Sequence, residues 1–295
     1  MVRILTAFLL TLSCTSSWAQ QFSVGLGVFT GITSPFTLDK GIDIDPRYTE
    51  RYSIKYAPIG ASLAVDYEGF GLLTTPGIVN LGQEFYMLNT SGGQDGRRTI
   101  DLKYLSIPIA FKVHIIRLSF FKVSGLVSLA PAYLLSGNEM VTHSASKMYF
   151  SPEVYPILPA DYIVEYDGVV VPEVDEYTVS EQSDFKSLQL FAAAGFRSDW
   201  DVTDHWRVSV DFQINYGIYD PRSDDYLAKL RAYQELYALP GKRQDLFAQL
   251  TIGIARFIDF EKRDREQKKR LKGSSKKYKT TQYPYPKPRN NKPKG

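Results

Sequence analysis

Apolar and polar residues alternate strictly along HWRVSVDFQINYGIY, residues 205–219. Trp206, Val208, Val210, Phe212, Ile214, Tyr216 and Ile218 take one parity, and Arg207, Ser209, Asp211, Gln213, Asn215 and Gly217 take the other. Side chains of a β-strand point alternately to its two faces, so the pattern predicts a long strand with one greasy and one polar face.

The pattern recurs. In 245–257, Leu246, Ala248, Leu250, Ile252 and Ile254 oppose Gln249, Thr251, Gly253 and Ala255. In 21–30, Phe22, Val24, Leu26 and Val28 oppose Ser23, Gly25, Gly27 and Phe29. In 59–67, Ile59, Ala61, Leu63, Val65 and Tyr67 oppose Ser62, Ala64 and Asp66. In 119–131, Phe121, Val123, Val127 and Leu129 oppose Lys122, Ser124 and Ser128. With the weaker segments 71–88, 102–114 and 186–200, this makes eight predicted strands.

The connections alternate in length. Residues 31–55, 89–98, 136–184 and 220–244 are long, whereas 68–70, 115–118 and 201–205 are short. Transmembrane barrels combine short periplasmic turns with long outer loops, and closure leaves no strand edge open in lipid. The expected fold is therefore an all-β, eight-stranded antiparallel transmembrane β-barrel over 20–260, in the outer membrane with both termini periplasmic. A soluble lipocalin-like barrel is the alternative. Trp200, Trp206, Phe257 and Phe260 are expected at the periplasmic rim, and Phe85, Tyr86, Tyr133, Tyr216 and Tyr219 toward the outside. Within the loops, Asp167-Gly168 signals a type I′ hairpin in 162–174. Residues 223–241 read as a helix capped by Ser223, with Tyr226, Leu230, Tyr233 and Tyr237 on one stripe packed against its own loops.

The ends add two features. Residues 1–19 combine Arg3, the apolar run Ile4 to Leu12 and Ser17-Trp18-Ala19, the pattern of a signal peptide. Cys14 is the only cysteine, so no disulfide framework is expected beyond that segment. Residues 261–295 carry fourteen Lys/Arg against three acids, a net of +11; the whole chain is +3, which leaves −8 for 1–260. This basic tail, with Pro284, Pro286, Pro288 and Pro293, reads as disordered and periplasmic. Its contact candidates are Lys268, Lys269, Arg270, Lys276 and Lys277, facing peptidoglycan, inner-leaflet head groups or an acidic protein. Export removes nucleic acid as a partner.

Tyr104-Leu105-Ser106-Ile107-Pro108, the Gly25/Gly27 strand and the segment Gly60 to Val65-Asp66-Tyr67 together resemble the PorT-like outer-membrane β-barrel family of Bacteroidota. The resemblance covers about 20–258. It implies the barrel fold and, through the namesake members, a place in type IX protein secretion. Pro108 lacks an N–H, so a bulge is expected in the fourth strand.

Candidate chemistry is sparse. His114, His143 and His205 have no metal-ligand spacing, and no cofactor motif is present. His205, Ser209 and Asp211 raise a hydrolase triad, but without a nucleophile elbow. The acidic groups Asp43/Asp45 and Asp220/Asp224/Asp225 lack the spacing of a calcium loop. Asp66, Lys112, Lys122, Arg207 and Asp211 are expected in the lumen as ion-pair candidates. An eight-stranded barrel is just wide enough for side chains to fill it, which favours an ion-paired plug over a narrow pore. The functional expectation is a non-enzymatic barrel acting as scaffold or accessory in an envelope complex, with outer-membrane lipid and complex proteins as partners. A small-solute channel and a lipid-modifying enzyme are the alternatives.

Overall fold

The computed structural model describes residues 22–150, 158, 160, 162–232 and 237–259. The signal-peptide segment, the basic tail with its five contact candidates, Tyr233 and Phe260 lie outside the described residues. The chain divides into two compact units, Val24–Ile258 and the terminal segments Met1–Ser23 with Asp259–Gly295; the account below concerns the first.

The strands are β1 (Phe22–Asp39), β2 (Tyr48–Arg51), β3 (Lys55–Tyr67), β4 (Phe70–Thr74), β5 (Gly77–Leu81), β6 (Glu84–Leu88), β7 (Gln94–Ser106), β8 (Ile109–Arg117) and β9 (Phe121–His143). Then follow β10 (Ser146–Met148), β11 (Ile163–Glu165), β12 (Gly168–Val171), β13 (Val174–Ser180), β14 (Leu188–Asp201), β15 (Trp206–Gly217) and β16 (Arg243–Asp259). Among the described residues two short α-helices, α1 (Lys40–Ile44) and α2 (Asp224–Ala232), and a 3-10 turn at Gln182–Asp184 sit in the connections.

Hydrogen-bonded neighbours run β1-β16-β15-β14-β9-β8-β4-β3, and β3 also pairs with β1. With β4 and β5 sharing one strand position and β8 and β7 another, the pairing path returns to its start after eight positions. From β16 through β15, β14, β9, β8 and β4 to β3 the paired registers are antiparallel. This is the predicted all-β barrel.

Its surface is inverted relative to an aqueous protein. Leu26, Ile59, Leu72, Phe111, Val127, Phe196, Ile214 and Ile252, one from each strand position, are exposed. Asp66, Lys112, Ser128, Arg197, Asp211 and Thr251 on the opposite parity are buried. A continuous apolar belt outside and charge inside is the arrangement of a barrel in a bilayer; water would reverse it. Trp200 and Trp206 edge the belt at the short-turn end, and Tyr133, Tyr216 and Tyr219 are exposed toward the long-loop end, as expected of aromatic girdles. Two aromatics depart from the expectation. Phe257 is buried because its ring lies under the Arg207 guanidinium, and Phe85 is buried in the core above the barrel. No described helix is long and apolar enough to cross a membrane.

Pro108 interrupts the ladder without a bulge, contrary to expectation. Ser106 faces Ala132 and Ile109 faces Leu129, so two residues on each strand separate the two pairs and the register carries through. The opposite neighbour also breaks, between Thr74 and Gly77, in step with β7 and β8. The bulge lies elsewhere. Lys103 pairs with Ser136 but Tyr104 pairs with Leu134, leaving Leu135 as an extra residue in β9. Leu134 is buried, Leu135 and Ser136 are exposed, and Gly137, Glu139, Val141 and His143 are buried. One inserted residue exchanges the two faces of the strand.

At the short-turn end the connections are as brief as the sequence implies. The long connections are largely ordered instead of looped. β1 runs on to Asp39, β7 starts at Gln94 and β9 reaches His143, while β2, β6 and β13 extend the sheet beyond the belt. A separate sheet, β10-β12-β11, joins this cap. Its hairpin pairs Glu165 with Gly168, so the turn is Tyr166-Asp167, one residue earlier than predicted. No described non-glycine residue has positive φ, which excludes a type I′ turn there. In α2 the Ser223 hydroxyl accepts from the Tyr226 N–H at 3.2 Å, the predicted cap. Tyr226 is buried with its hydroxyl 3.5 Å from the Val179 carbonyl, so the helix packs on its own loops; it runs only from Asp224 to Ala232, and the buried Tyr237 lies outside it, not on its stripe as expected.

Candidate functional site

The barrel interior is layered. Nearest the short-turn end, the Arg207 guanidinium carbon lies 3.8 Å from the Phe257 ring centre. The ring needs space on β1, which Gly25 provides: a β-carbon there would sit 2.4 Å from it. Arg207 also donates to Asp201 at 2.7 Å and to Asp66 at 2.6 Å, and Lys122 stands 3.7 Å from Asp201. Asp66 pairs in turn with Lys112, which reaches Asp199 at 4.0 Å. Arg197 donates to Asp199 at 2.8 Å and to Asp211 at 2.9 Å, while its other nitrogen holds the Ser209 hydroxyl at 2.8 Å.

All five lumen residues named from the sequence therefore meet in one network, joined by Arg197, Asp199 and Asp201. Four cations and four carboxylates link hand to hand, so the buried charge can balance. The three additional members sit at alternate positions on β14; Arg197 and Asp199 fall within the weak 186–200 pattern, and Asp201 lies one residue beyond it. The network also disposes of the triad, since Ser209 and Asp211 are both held by Arg197 and His205 is exposed on the turn.

Above this layer the interior turns aromatic. Tyr104 packs edge-on to Phe191 at 5.8 Å, and Phe191 edge-on to Phe247 at 5.4 Å. Tyr104 and Ser106 face the interior, whereas Leu105 and Ile107 between and beside them face outward. Asp245, also buried, has neither carboxylate oxygen hydrogen-bonded.

A second charged cluster crosses the mouth beneath the cap, beyond the apolar belt. Arg243 on β16 donates to Asp39 on β1 at 2.6 Å and to Glu139 on β9 at 2.7 and 3.0 Å. Arg98 on β7 donates to the same Glu139 at 2.6 Å and to the Tyr237 carbonyl at 2.8 Å. All four charged residues are buried. Burial alone would raise the Glu139 carboxyl, but the facing Arg243 and Arg98 hold it down at about 2. Burial works against the Arg98 charge too, and Glu139 overcomes it and raises the guanidinium. Sequence reasoning missed this cluster because all four of its members lay in segments read as loops. Glu139 faces inward only because the Leu135 bulge reverses its parity.

The acidic groups considered as cation sites are engaged elsewhere. Asp45 pairs with Arg47 at 2.7 Å, Asp220 with Arg222 at 2.9 Å, and Asp224 with Lys186 at 3.0 Å. Among the described residues no group of three or more His, Cys, Asp or Glu is placed to hold a metal ion. His114 is bonded to Ser124 at 2.8 Å and His143 to the Tyr237 hydroxyl at 2.5 Å.

No protein-family model and no curated relative matches the chain. Among solved structures, it is similar to the attachment invasion locus protein Ail of Yersinia pestis: 10% identity, 79% of this chain and 98% of the other, TM-score 0.32. For the outer membrane protein OprG of Pseudomonas aeruginosa the values are 11%, 81%, 95% and 0.33. For the toluene transporter TodX of Pseudomonas putida they are 9%, 82%, 90% and 0.21.

Proposed function

We propose that this chain is a non-enzymatic outer-membrane β-barrel whose interior is a structural plug and whose working surface is the folded cap. In this reading the short turns and both termini are periplasmic and the cap faces outward. The protein serves as a scaffold or accessory of an envelope complex. The observation that carries the reading is the buried chain Asp39–Arg243–Glu139–Arg98 across the mouth, above a lumen already filled by ion pairs and aromatic rings. Crossing that layer would strip paired charges, which costs several kcal/mol. A pore would instead leave such groups hydrated.

Planar-bilayer recording combined with cross-linking and pulldown from native membranes tests the proposal. A silent barrel that brings down envelope proteins is expected. A stable unitary conductance, or recovery of the barrel alone, overturns it. The string Tyr104 to Pro108 supports membership of a type IX secretion assembly in particular. Unchanged secretion of type IX cargo in a deletion strain would remove that refinement. Loss of complex recovery on deleting 261–295 would support a tail contact with peptidoglycan or a periplasmic protein.

A further inference from the structure

The outer face of the cap carries a cleft of about 390 Å³. It lies over a cross-strand row in which Tyr86 on β6 pairs with Arg97 on β7, and Arg97 with Thr142 on β9. Arg51 from β2 forms one wall, its guanidinium 5.2 Å from the Tyr86 ring centre. Glu173 and Asp175, at the start of β13, form the other. β13 meets β9 through two register shifts, between Val174 and Tyr177 and between Thr178 and Ser180. At the base β7 and β9 approach closely, and a β-carbon at Gly96 would lie 2.4 Å from His143.

We propose that this cleft binds a neutral saccharide of one or two rings. Its volume falls within the range of small-molecule sites, about 300–1,000 Å³. The chemistry of the walls selects the class. Arg97, Glu173 and Asp175 are exposed, and their side chains make no hydrogen bond or ion pair among the described residues. A simple anion would meet Glu173, Asp175 and Asp95, and a simple cation would meet Arg51 and Arg97. A sugar hydroxyl donates and accepts at once, so it satisfies carboxylate and guanidinium together without adding charge. The Tyr86 ring offers a flat apolar surface for the C–H face of a pyranose. Burial lowers the His143 imidazole from its ordinary value, so it adds no further cation to the floor.

Binding does not depend on which side of the membrane the cap faces, so it fails or survives independently of the proposed complex. The test uses the full chain in a detergent without sugar head groups, because a maltoside would compete. Saturation-transfer NMR with lactose, cellobiose and N,N′-diacetylchitobiose is the readout, with glucose 6-phosphate as the anionic control. At least one neutral disaccharide is expected to bind. Arg97→Ala and Asp175→Asn should each weaken it roughly ten- to a hundredfold, the effect of losing a hydrogen bond to a charged group. Lys103→Ala, outside the cleft, should leave it unchanged. Glu173→Gln, an exposed and conservative change, replaces any variant whose folded band is lost in unheated gels. No binding by any of the three disaccharides overturns the proposal, as does binding indifferent to Arg97→Ala and Asp175→Asn. A preference for glucose 6-phosphate that Asp175→Asn strengthens would make the cleft an anion site instead.

Discussion

Glu139 and Arg243 stand 104 residues apart and form a two-pronged ion pair, 2.7 and 3.0 Å long, with both side chains buried. They join β9 to β16 from opposite sides of the barrel mouth. Arg98 and Asp39 extend the pair to β7 and β1, so one carboxylate anchors four strands. Replacing it by an amide leaves two buried guanidinium groups short of charge. Glu139→Gln should cost about 3–5 kcal/mol, the usual effect of removing one partner from a buried pair. Denaturant unfolding in micelles, followed by tryptophan fluorescence, measures it. A loss below about 1 kcal/mol would show that the cluster is hydrated.

The same pair sets an acid limit. The Glu139 carboxyl is held at about 2 against an ordinary 4.5. A carboxyl depressed in the folded state contributes stability fully present above its unfolded value and lost as pH falls through the folded one. The unfolding midpoint should therefore be steady around pH 6 and fall between about pH 4.5 and 2, and Glu139→Gln should flatten that part of the profile. An acid slope unchanged in the variant would assign the effect to other groups.

The Leu135 bulge is the device that turns Glu139 inward. Deleting Leu135 removes the extra residue and leaves Gly137, Glu139, Val141 and His143 on the inner face by simple alternation, whereas inserting a second residue beside Leu135 would send them to the outer face. The insertion should abolish the heat-modifiable folded band, whereas Leu135→Ala and the Leu135 deletion should retain it. A folded insertion variant would mean that the register of β9 is not fixed by the bulge.

Arg197 binds Asp199, Asp211 and Ser209 within the lumen. Arg197→Met alone should destabilise by about 3–5 kcal/mol, since it strands two buried carboxylates. Replacing Arg197, Asp199 and Asp211 together by Met, Leu and Leu should recover most of that loss. If complex formation also survives in the triple variant, these charges act as filler. If it fails while the barrel folds, the lumen has a role beyond packing.

How much of this was legible follows from where period two holds. In β15 it runs unbroken, and Arg207, Ser209 and Asp211 face inward as read. Asp66, Lys112 and Lys122 were found for the same reason. Arg197, Asp199 and Asp201 obey the rule too, but Gly195 and the run of alanines before them blur the apolar face. Glu139 could not be placed, because an inserted residue reverses parity and nothing in SLAPAYLLSGNEM marks which one is extra. Pro108 misled in the opposite direction: the neighbouring strand breaks in step, so no residue needs to bulge. The ordered cap was read as loops because its strands are short and belong to sheets outside the belt.

The central claim is the inverted surface, greasy outside and charged within. Nitroxide labels placed singly along 206–217, with the protein reconstituted in lipid vesicles, test it most directly. Labels at 208, 210, 212 and 214 should be relaxed by oxygen, which partitions into hydrocarbon, and labels at 207, 209, 211 and 213 should be immobilised and shielded from it. If the even positions respond instead to a water-soluble nickel chelate, the strand does not face lipid and the account is wrong.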